Sequence, residues 1–255
     1  MLLLLSSGSF GCRFRSKSPY WIETHGHALG NRIAGWALGV LLLGGDQNLW
    51  GYPGPWDNPW VAKARTRPLR AIAAAHTAVY ALLSDGHVAR FTGSSWSPLD
   101  NSTAWGASEL SVTEDDHVLV VASGRLRSVV GRDLVELSCD SHPDLVGLAA
   151  VRPDEAFVID RAGALYFNGA GRCEPIPAPV RLRRIAANAS RLLAVAVDGT
   201  VWRRRENVWV KLPLPFKNRP GLPPVAAQPE DVGLSEYSSW LADTEGSVYV
   251  LSDEA

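Results

Sequence analysis

The sequence predicts an all-β fold, a β-propeller built from four-stranded blades. A glycine turn recurs along the chain at nearly constant spacing, an aliphatic residue followed by small residues precedes it, and a large apolar residue follows it. A period of about 40–45 residues is the length of one four-stranded blade. The 255 residues are 46% hydrophobic and 20% charged, which suits a single propeller domain over residues 1–255.

The clearest copy of the turn is Asp198-Gly199-Thr200-Val201-Trp202. Asp-Gly provides the positive-φ turn that joins two twisted antiparallel strands, so this phrase predicts the hairpin between the second and third strands of a blade. The same position recurs at Gly8, Gln47, Gly86, Gly124, Gly163, Gly199 and Gly246.

The phrase before each turn predicts the innermost strand, because blades taper toward the propeller axis and only small side chains fit there. These phrases begin at Ile33, Ile72, Leu110, Leu148, Ile185 and Val232. The residue after each turn predicts the outermost strand, where a large side chain fills a wide gap between blades. These residues are Trp60, Trp96, Leu134, Cys173 and Trp209.

The N-terminal segment has two interpretations. Residues 1–24 match the second, third and outer strands of a further blade, which gives seven blades with incomplete ends. Alternatively, Tyr20-Trp21-Ile22 supplies the outer strand that the last blade lacks, which closes six blades and leaves residues 1–14 as an extra segment. A lipoprotein-type leader ending at Cys12 is disfavoured, because no Lys or Arg precedes the leucines.

The segment from Pro213 to Pro229 is rich in proline and is expected to be a surface loop between blades. No transmembrane span is present in the sequence, and a net charge of −1 gives no global attraction to nucleic acid or to membranes. We expect a cytoplasmic monomer, with a secreted or lipid-anchored envelope protein as the alternative.

No cofactor or metal site is expected from the sequence. Three unclustered cysteines exclude a disulfide framework and a Cys-rich metal site, and Cys173 is expected to be a buried apolar residue. His25 and His27 would point to one face of a strand, but no third ligand has a suitable spacing. The sequence contains no G-x-S-x-G, no P-loop and no dinucleotide fingerprint.

A family resemblance follows from two well-preserved repeats. The segments 72–99 and 185–212, with Ser-Asp-Gly-His-Val-Ala-Arg-Phe and Val-Asp-Gly-Thr-Val-Trp-Arg at their turns, resemble blades of tectonin-like propellers. They are also similar, less closely, to repeats of the chromosome-condensation-regulator type. The resemblance implies a propeller that binds a protein or a carbohydrate through its loops.

The function expected is therefore that of a non-enzymatic binding scaffold, for a protein partner first and a glycan second. The candidate contact residues are Tyr52, Trp56, Trp105, Arg203 and Arg205. Two alternatives remain, an envelope scaffold anchored through Cys12 and an enzyme with its site over the central channel. The enzyme is disfavoured because the predicted inner strands are mostly Ile, Leu, Ala and Gly.

Overall fold

The structure is a computed structural model of the whole chain. It describes residues 20–23, 30–36, 39–44, 48–52, 61–65, 69–75, 78–91, 96–99, 105–137, 139, 144–217, 223–235 and 238–252. Within these ranges no helix is long and apolar enough to cross a membrane.

The described residues form 26 strands, 24 of which make six four-stranded antiparallel sheets, blades I to VI. Blade VI includes the first strand, β1 (Tyr20–Glu23). Blade I is β2 (Gly30–Trp36), β3 (Gly39–Gly44), β4 (Asn48–Tyr52) and β5 (Val61–Arg65). Blade II is β6 (Leu69–Ala74), β7 (Val79–Leu83), β8 (Val88–Phe91) and β9 (Trp96–Pro98). Blade III is β10 (Ala107–Val112), β11 (Val118–Ala122), β12 (Arg125–Val130) and β13 (Asp133–Glu136). Blade IV is β14 (Leu145–Arg152), β15 (Glu155–Asp160), β16 (Leu165–Gly169) and β17 (Arg172–Ile176). Blade V is β18 (Leu182–Ala187), β19 (Leu192–Ala196), β20 (Val201–Arg205) and β21 (Val208–Leu212). A small hairpin of β22 (Phe216–Lys217) and β23 (Val225–Ala226) precedes the remaining strands of blade VI, which are β24 (Pro229–Leu234), β25 (Ser239–Asp243) and β26 (Val248–Ser252).

The six blades form a closed ring around a central channel. The innermost strands contact one another in the order β2, β6, β10, β14, β18 and β24, and β24 contacts β2 again. This arrangement confirms the predicted all-β propeller of four-stranded blades.

Blade VI is closed by the N-terminal strand. Tyr20 pairs with Ser252 and Glu23 pairs with Tyr249, so β1 runs antiparallel to β26 as the outermost strand. The structure therefore has the layout in which Tyr20-Trp21-Ile22 completes the last blade, and the count of seven blades is not confirmed. The turn predicted at Gly8 and the segment through Cys12 lie outside the described residues.

The predicted glycine turns adopt the conformation that their hairpins need. Gly86, Gly163, Gly199 and Gly246 have φ between 80° and 89°, a region that only glycine enters at little cost. The apolar residues around the turns fill the layers between blades. All five residues of β11, β19 and β25 are buried, because neighbouring blades cover both faces of these strands.

Four of the five predicted outer-strand residues lie on outer strands, among them Cys173 in β17, and Trp60 lies outside the described residues. Trp96 is in β9, Leu134 in β13 and Trp209 in β21, and each packs, partly buried, against the apolar layer beside its blade. The indole Nε1–H of Trp209 also donates to the carbonyl oxygen of Pro177 at 2.9 Å.

The cysteines correct one expectation from the sequence. Cys139, which follows blade III, forms a disulfide with Cys173 on the outer strand of blade IV. Cys173 is therefore a cross-link between neighbouring blades rather than a simple apolar residue. Connectivity depends on which loops the ring brings together, and spacing along the chain does not reveal it.

The proline-rich segment 213–229 contains the hairpin β22–β23 and is attached to blade VI. Ala227 is buried, and the ammonium group of Lys217 lies 2.5 Å from a carboxylate oxygen of the fully buried Asp243. Asp243 also accepts the backbone N–H groups of Glu245 and Ser247. The described part of the segment is exposed at Phe216 and Val225 and is held by a buried ion pair at Lys217, while residues 218–222 lie outside the described residues.

Candidate functional site

Every inner strand carries a β-bulge near its start. At this end of each blade the register with the second strand skips one residue, and the skipped residues are Asn31, Arg70, Ser108, Val146, Arg183 and Glu230. A bulge leaves one residue unpaired and changes the direction of the next side chain. The six inner strands begin at the same end of the channel, so the bulges form a ring at one channel mouth.

The residue after each bulge lines this mouth. In ring order these residues are Arg32, Ala71, Glu109, Gly147, Arg184 and Asp231. We call the four charged members, Arg32, Glu109, Arg184 and Asp231, the channel ring. Ala71 and Gly147 are the two small residues of this set, and they flank Glu109 in the ring order.

Glu109 and Arg184 make an ion pair across blade IV. The guanidinium Nη1 of Arg184 donates to Glu109 Oε1 at 3.2 Å, and the small Gly147 lies between the two blades that carry them. Burial raises the pKa of the Glu109 carboxyl, and Arg184 and Arg32 only partly oppose this effect. The Nε atom of Arg184 is buried and has no hydrogen-bond partner.

Asp231 connects the last blade to the first. Its Oδ2 accepts the backbone N–H of Ile33 on blade I at 3.1 Å, and its Oδ1 accepts the N–H of Val232 at 3.0 Å. Burial raises the pKa of the Asp231 carboxyl, while Arg32 and Arg184 act in the opposite direction. Both carboxylate oxygens are therefore occupied by backbone donors.

The channel ring borders a cavity of about 120 Å³ lined by the six inner strands. Such a volume accommodates several water molecules or one small organic molecule. The convergence of four charged side chains corrects the expectation that the inner strands are too apolar to build a channel site. No group of three or more metal-ligating side chains is found in the described part of the chain.

A larger groove of about 620 Å³ lies at the opposite end of the ring, between blades IV and V. We call it the IV–V groove, and its lining includes Phe157, Phe167, Arg191, Arg204, Arg205 and Asn207. Its volume falls within the range of typical ligand pockets. The turn after β14, the turn after β18 and the turn between β20 and β21 form its rim.

The two phenylalanines form the apolar floor of this groove. The rings of Phe157 and Phe167 are 5.0 Å apart and tilted by 51°, and both are half-buried. The Arg204 guanidinium lies 6.0 Å from the centre of the Phe157 ring and donates to Asn207 Oδ1 at 2.6 Å. Burial lowers the pKa of Arg204. A flat cationic group is thus fixed above an aromatic surface.

The charge of the groove is positive. Four arginines, at 152, 191, 204 and 205, face two glutamates, at 155 and 206. Arg152 pairs with Glu155 at 3.3 Å, and the buried Arg191 donates to the carbonyl oxygen of Ser235 at 2.8 Å. Glu206 and Asn207 form the turn at the rim with φ of 49° and 67° and without glycine. A partner with carboxylate groups therefore suits this surface.

The candidate contact residues from the sequence fall in different places. Arg205 is exposed and lines the IV–V groove, and Arg203 is half-buried on the same strand but outside the lining. Trp105 is half-buried against the apolar layer between blades II and III. Tyr52 is the last residue of β4, and Trp56 lies outside the described residues.

The sequence analysis missed the channel ring and the phenylalanine floor. A signal for the ring was present, because its members directly precede the aliphatic residue that marks each inner strand. Charged residues at four of six equivalent repeat positions are unusual at a tapering axis. The floor had no such signal, since Phe157 and Phe167 face each other only because their strands pair.

The sequence matches no protein-family model and no curated protein. Similarity to solved structures is found at the level of the fold. YCF48 from Cyanidioschyzon merolae is 10% identical with a TM-score of 0.59, over 90% of this chain and 98% of YCF48. A structure of YCF48 bound to a D1 peptide aligns with a TM-score of 0.57 at 11% identity, over 94% of this chain and 97% of YCF48.

Three further propellers are similar. Prp20p of Saccharomyces cerevisiae, the yeast RCC1, is 14% identical with a TM-score of 0.53, over 86% of this chain and 70% of Prp20p. Virginiamycin B lyase from Staphylococcus aureus is 10% identical with a TM-score of 0.60, over 93% of this chain and 99% of the lyase. The chain covers only 38% of PorZ, a surface component of the type-IX secretion system of Porphyromonas gingivalis, at 10% identity and a TM-score of 0.55 over 92% of this chain.

These similarities can be compared with the two propeller families that the repeats resemble. Prp20p supports the likeness to propellers of the chromosome-condensation-regulator type. A tectonin-like assignment is not confirmed. At identities of 10–14% the comparisons establish the propeller fold, and both binding proteins and an enzyme are found among these structures.

Proposed function

We propose that this protein is a non-enzymatic binding scaffold that holds an acidic peptide segment of a protein partner in the IV–V groove. The observation that carries this proposal is a groove of about 620 Å³ that combines an aromatic floor with an excess of arginine. The floor would bury apolar side chains of the segment, and the guanidinium groups would pair with its carboxylates.

The structural neighbours support this class of function. YCF48 has been solved with a D1 peptide, and Prp20p has been characterised for its binding to Gsp1p and histones. Glycan binding is less well supported, because sugar faces stack on exposed aromatic rings and Trp105 is half-buried against the apolar layer. A peptide is therefore the occupant that we propose.

The test begins with a random peptide library panned against the intact chain. A fluorescein-labelled peptide of the selected sequence is then titrated in a polarisation assay. We expect peptides rich in Asp and Glu with at least one aromatic residue, because the groove is cationic around an apolar floor. Arg205→Glu should weaken their binding by roughly tenfold or more, since it replaces an attraction by a repulsion.

Arg132→Glu is the matched control. Arg132 is exposed in the equivalent turn of blade III and outside the groove, so the same change of charge should leave the affinity within about twofold. Selected peptides without an acidic bias, or equal losses in both variants, would contradict the proposal.

The Cys139–Cys173 disulfide supports a location outside the reducing cytosol. Disulfides persist in oxidising compartments and are rare in cytosolic proteins. We therefore propose a secreted or envelope location in place of the cytoplasmic one expected from the sequence. Cys12, the proposed anchor in the alternative lipoprotein reading, lies outside the described residues.

An enzyme remains the second candidate because of the channel ring. Glu109 has a raised pKa and lies beside a cavity, an environment in which carboxyl groups act as general acids. One similar propeller, virginiamycin B lyase, is an enzyme. A hydrolase or lyase activity lost in Glu109→Gln but retained in Arg205→Glu would favour this candidate over the scaffold.

A further inference from the structure

The channel ring contains more hydrogen-bond donors than acceptors. Guanidinium groups only donate, and each carries several N–H groups in a planar fork. Asp231 uses both carboxylate oxygens for backbone N–H groups, and Glu109 Oε1 is used by Arg184. Within the described part of the chain, no hydrogen bond or ion pair is formed by the side chain of Arg32, which lines the same cavity.

The net charge of the mouth also favours an anionic ligand. Arg32 and Arg184 balance Glu109 and Asp231, and the exposed Arg70 at a neighbouring bulge acts electrostatically on Glu109. The bulge residues Arg183 and Glu230 neutralise each other at 3.0 Å. With Arg70 included, the mouth has one positive charge in excess, and a low-dielectric wall surrounds it.

The space available for a ligand is the cavity beside the channel ring. Two of the six residues at this level, Ala71 and Gly147, have no side chain longer than a methyl group, and the other four form the channel ring. Both arginines of the channel ring line the cavity of about 120 Å³. A compact group with two or more oxygen acceptors has the size and the chemistry to fill it.

We propose that the channel mouth binds a small oxyanion, a carboxylate or phosphate group, between the guanidinium groups of Arg32 and Arg184. Arg32 supplies the planar fork that suits two oxygens of such a group. Arg184 also lines the cavity, keeps its contact with Glu109, and has an Nε without a hydrogen-bond partner. This site is at the opposite end of the ring from the IV–V groove and does not depend on it.

The test is isothermal titration calorimetry of the intact chain at constant ionic strength. Sodium phosphate and sodium malonate are the two probes, and sodium chloride is the control for non-specific ionic effects. Saturable binding of either probe with a stoichiometry near one per chain supports the site. Malonate alone indicates a carboxylate ligand, and phosphate alone indicates a phosphate ligand. Absence of saturable binding for both overturns the proposal.

Two variants separate this site from a purely structural role of the ring. Arg32→Gln should weaken binding by roughly tenfold or more, while Arg172→Gln, an exposed arginine on the outer strand of blade IV, should not. Glu109→Gln should strengthen binding several-fold, because it removes a negative charge and releases Arg184. If Arg32→Gln fails to fold, Arg32→Lys keeps the charge and should still weaken binding, since it loses the fork. Unchanged affinity in the folded Arg32 variant, or weaker binding in Glu109→Gln, overturns the proposal.

Discussion

At the scale of single residues, burial and pairing decide what the charged side chains can do. Glu109 and Asp231 are both acids whose pKa is raised by burial beside arginines. Asp198, at an exposed turn, has its pKa lowered by hydrogen bonds from the hydroxyl and the N–H of Thr200. Burial thus favours the protonated form of the two carboxyl groups in the channel. Hydrogen bonding favours the ionised form of the carboxyl group at the surface turn.

The raised pKa of Glu109 predicts a specific pH dependence of stability. The folded chain holds the Glu109 proton more tightly than the unfolded chain, so protonation stabilises the fold as the pH is lowered. Between pH 7 and the ordinary carboxyl value of 4.5, wild type should gain stability relative to Glu109→Gln. Urea unfolding of both proteins across this range measures the difference. Arg184, Arg32, Arg70 and Asp231 are the charged groups that act on Glu109 and are unchanged in the comparison.

Glu174→Gln, on the exposed outer strand of blade IV, is the matched control for this experiment. We expect the larger pH-dependent difference for Glu109→Gln, because the Glu109 carboxyl is the buried one. A wild type that loses stability relative to Glu109→Gln on acidification would show that Glu109 is better stabilised as a carboxylate in the fold.

At the scale of elements, the bulge near the start of each inner strand separates the roles of neighbouring residues. In blade V, Arg183 pairs with Glu230 at the rim, and the next residue, Arg184, enters the channel mouth. In blade III, Ser108 donates from its hydroxyl to the carbonyl oxygen of Val121, and Glu109 enters the mouth. Consecutive polar residues at the bulge therefore lie in different environments, the first at the rim or on the strand and the second in the channel mouth.

The disulfide between blades III and IV predicts a measurable stabilisation. Cys173→Ser should reduce the free energy of unfolding by about 3 kcal/mol, since the bond closes a loop across a sequence separation of 34 residues. Chemical unfolding with and without a reducing agent measures the effect. Reduction should bring wild type to the level of the variant and leave the variant unchanged. Equal stability of the oxidised and reduced wild type would contradict a structural role of this bond.

The sequence was most informative where structure is local. The Asp-Gly phrase at Gly199 and its copies at Gly86 and Gly246 predicted turns that adopt positive φ. Trp96 and Trp209 were placed on outer strands because the repeat fixes their distance from the turn. Propensity and periodicity determine such features within a few residues, so they could be read without the structure.

At the scale of the whole molecule, the features that sequence reasoning left open depend on which strands and blades are neighbours, and on how the ring closes. The pairing of Tyr20 with Ser252 joins opposite ends of the described chain, and the repeat alone allowed either six or seven blades. The pairing of Cys139 with Cys173 and the facing of Phe157 and Phe167 arise from contacts between strands or blades. The channel ring combines residues from four blades and exists only once the circle is complete.

The contact between blades I and VI, which closes the ring, predicts that one small substitution reduces stability. The inner strands of blades I and VI meet at Gly35, where an added Cβ would lie 1.7 Å from the carbonyl oxygen of Leu234. Gly35→Ala should therefore reduce the free energy of unfolding by about 2 kcal/mol or more, as backbone atoms must move apart. Urea unfolding monitored by tryptophan fluorescence measures this loss.

Gly147→Ala is the control variant, against which the loss of stability in Gly35→Ala is compared. The atoms nearest to its Cβ would be side-chain atoms of Ile159, at 3.1 to 3.3 Å rather than 1.7 Å, so the loss should be clearly smaller. A Gly35→Ala variant as stable as wild type would show that blades I and VI are not in close contact.

The binding scaffold proposed for the whole molecule is tested most directly by hydrogen exchange of the intact chain with and without a library-selected acidic peptide. We predict that the peptide slows exchange in three segments around the IV–V groove, residues 151–157, 188–192 and 204–208, and leaves blades I and II unchanged. This pattern would place the peptide on the phenylalanine floor beneath Arg204 and Arg205. Protection confined to other blades or to the channel mouth, with exchange in these three segments unaltered, would contradict the account.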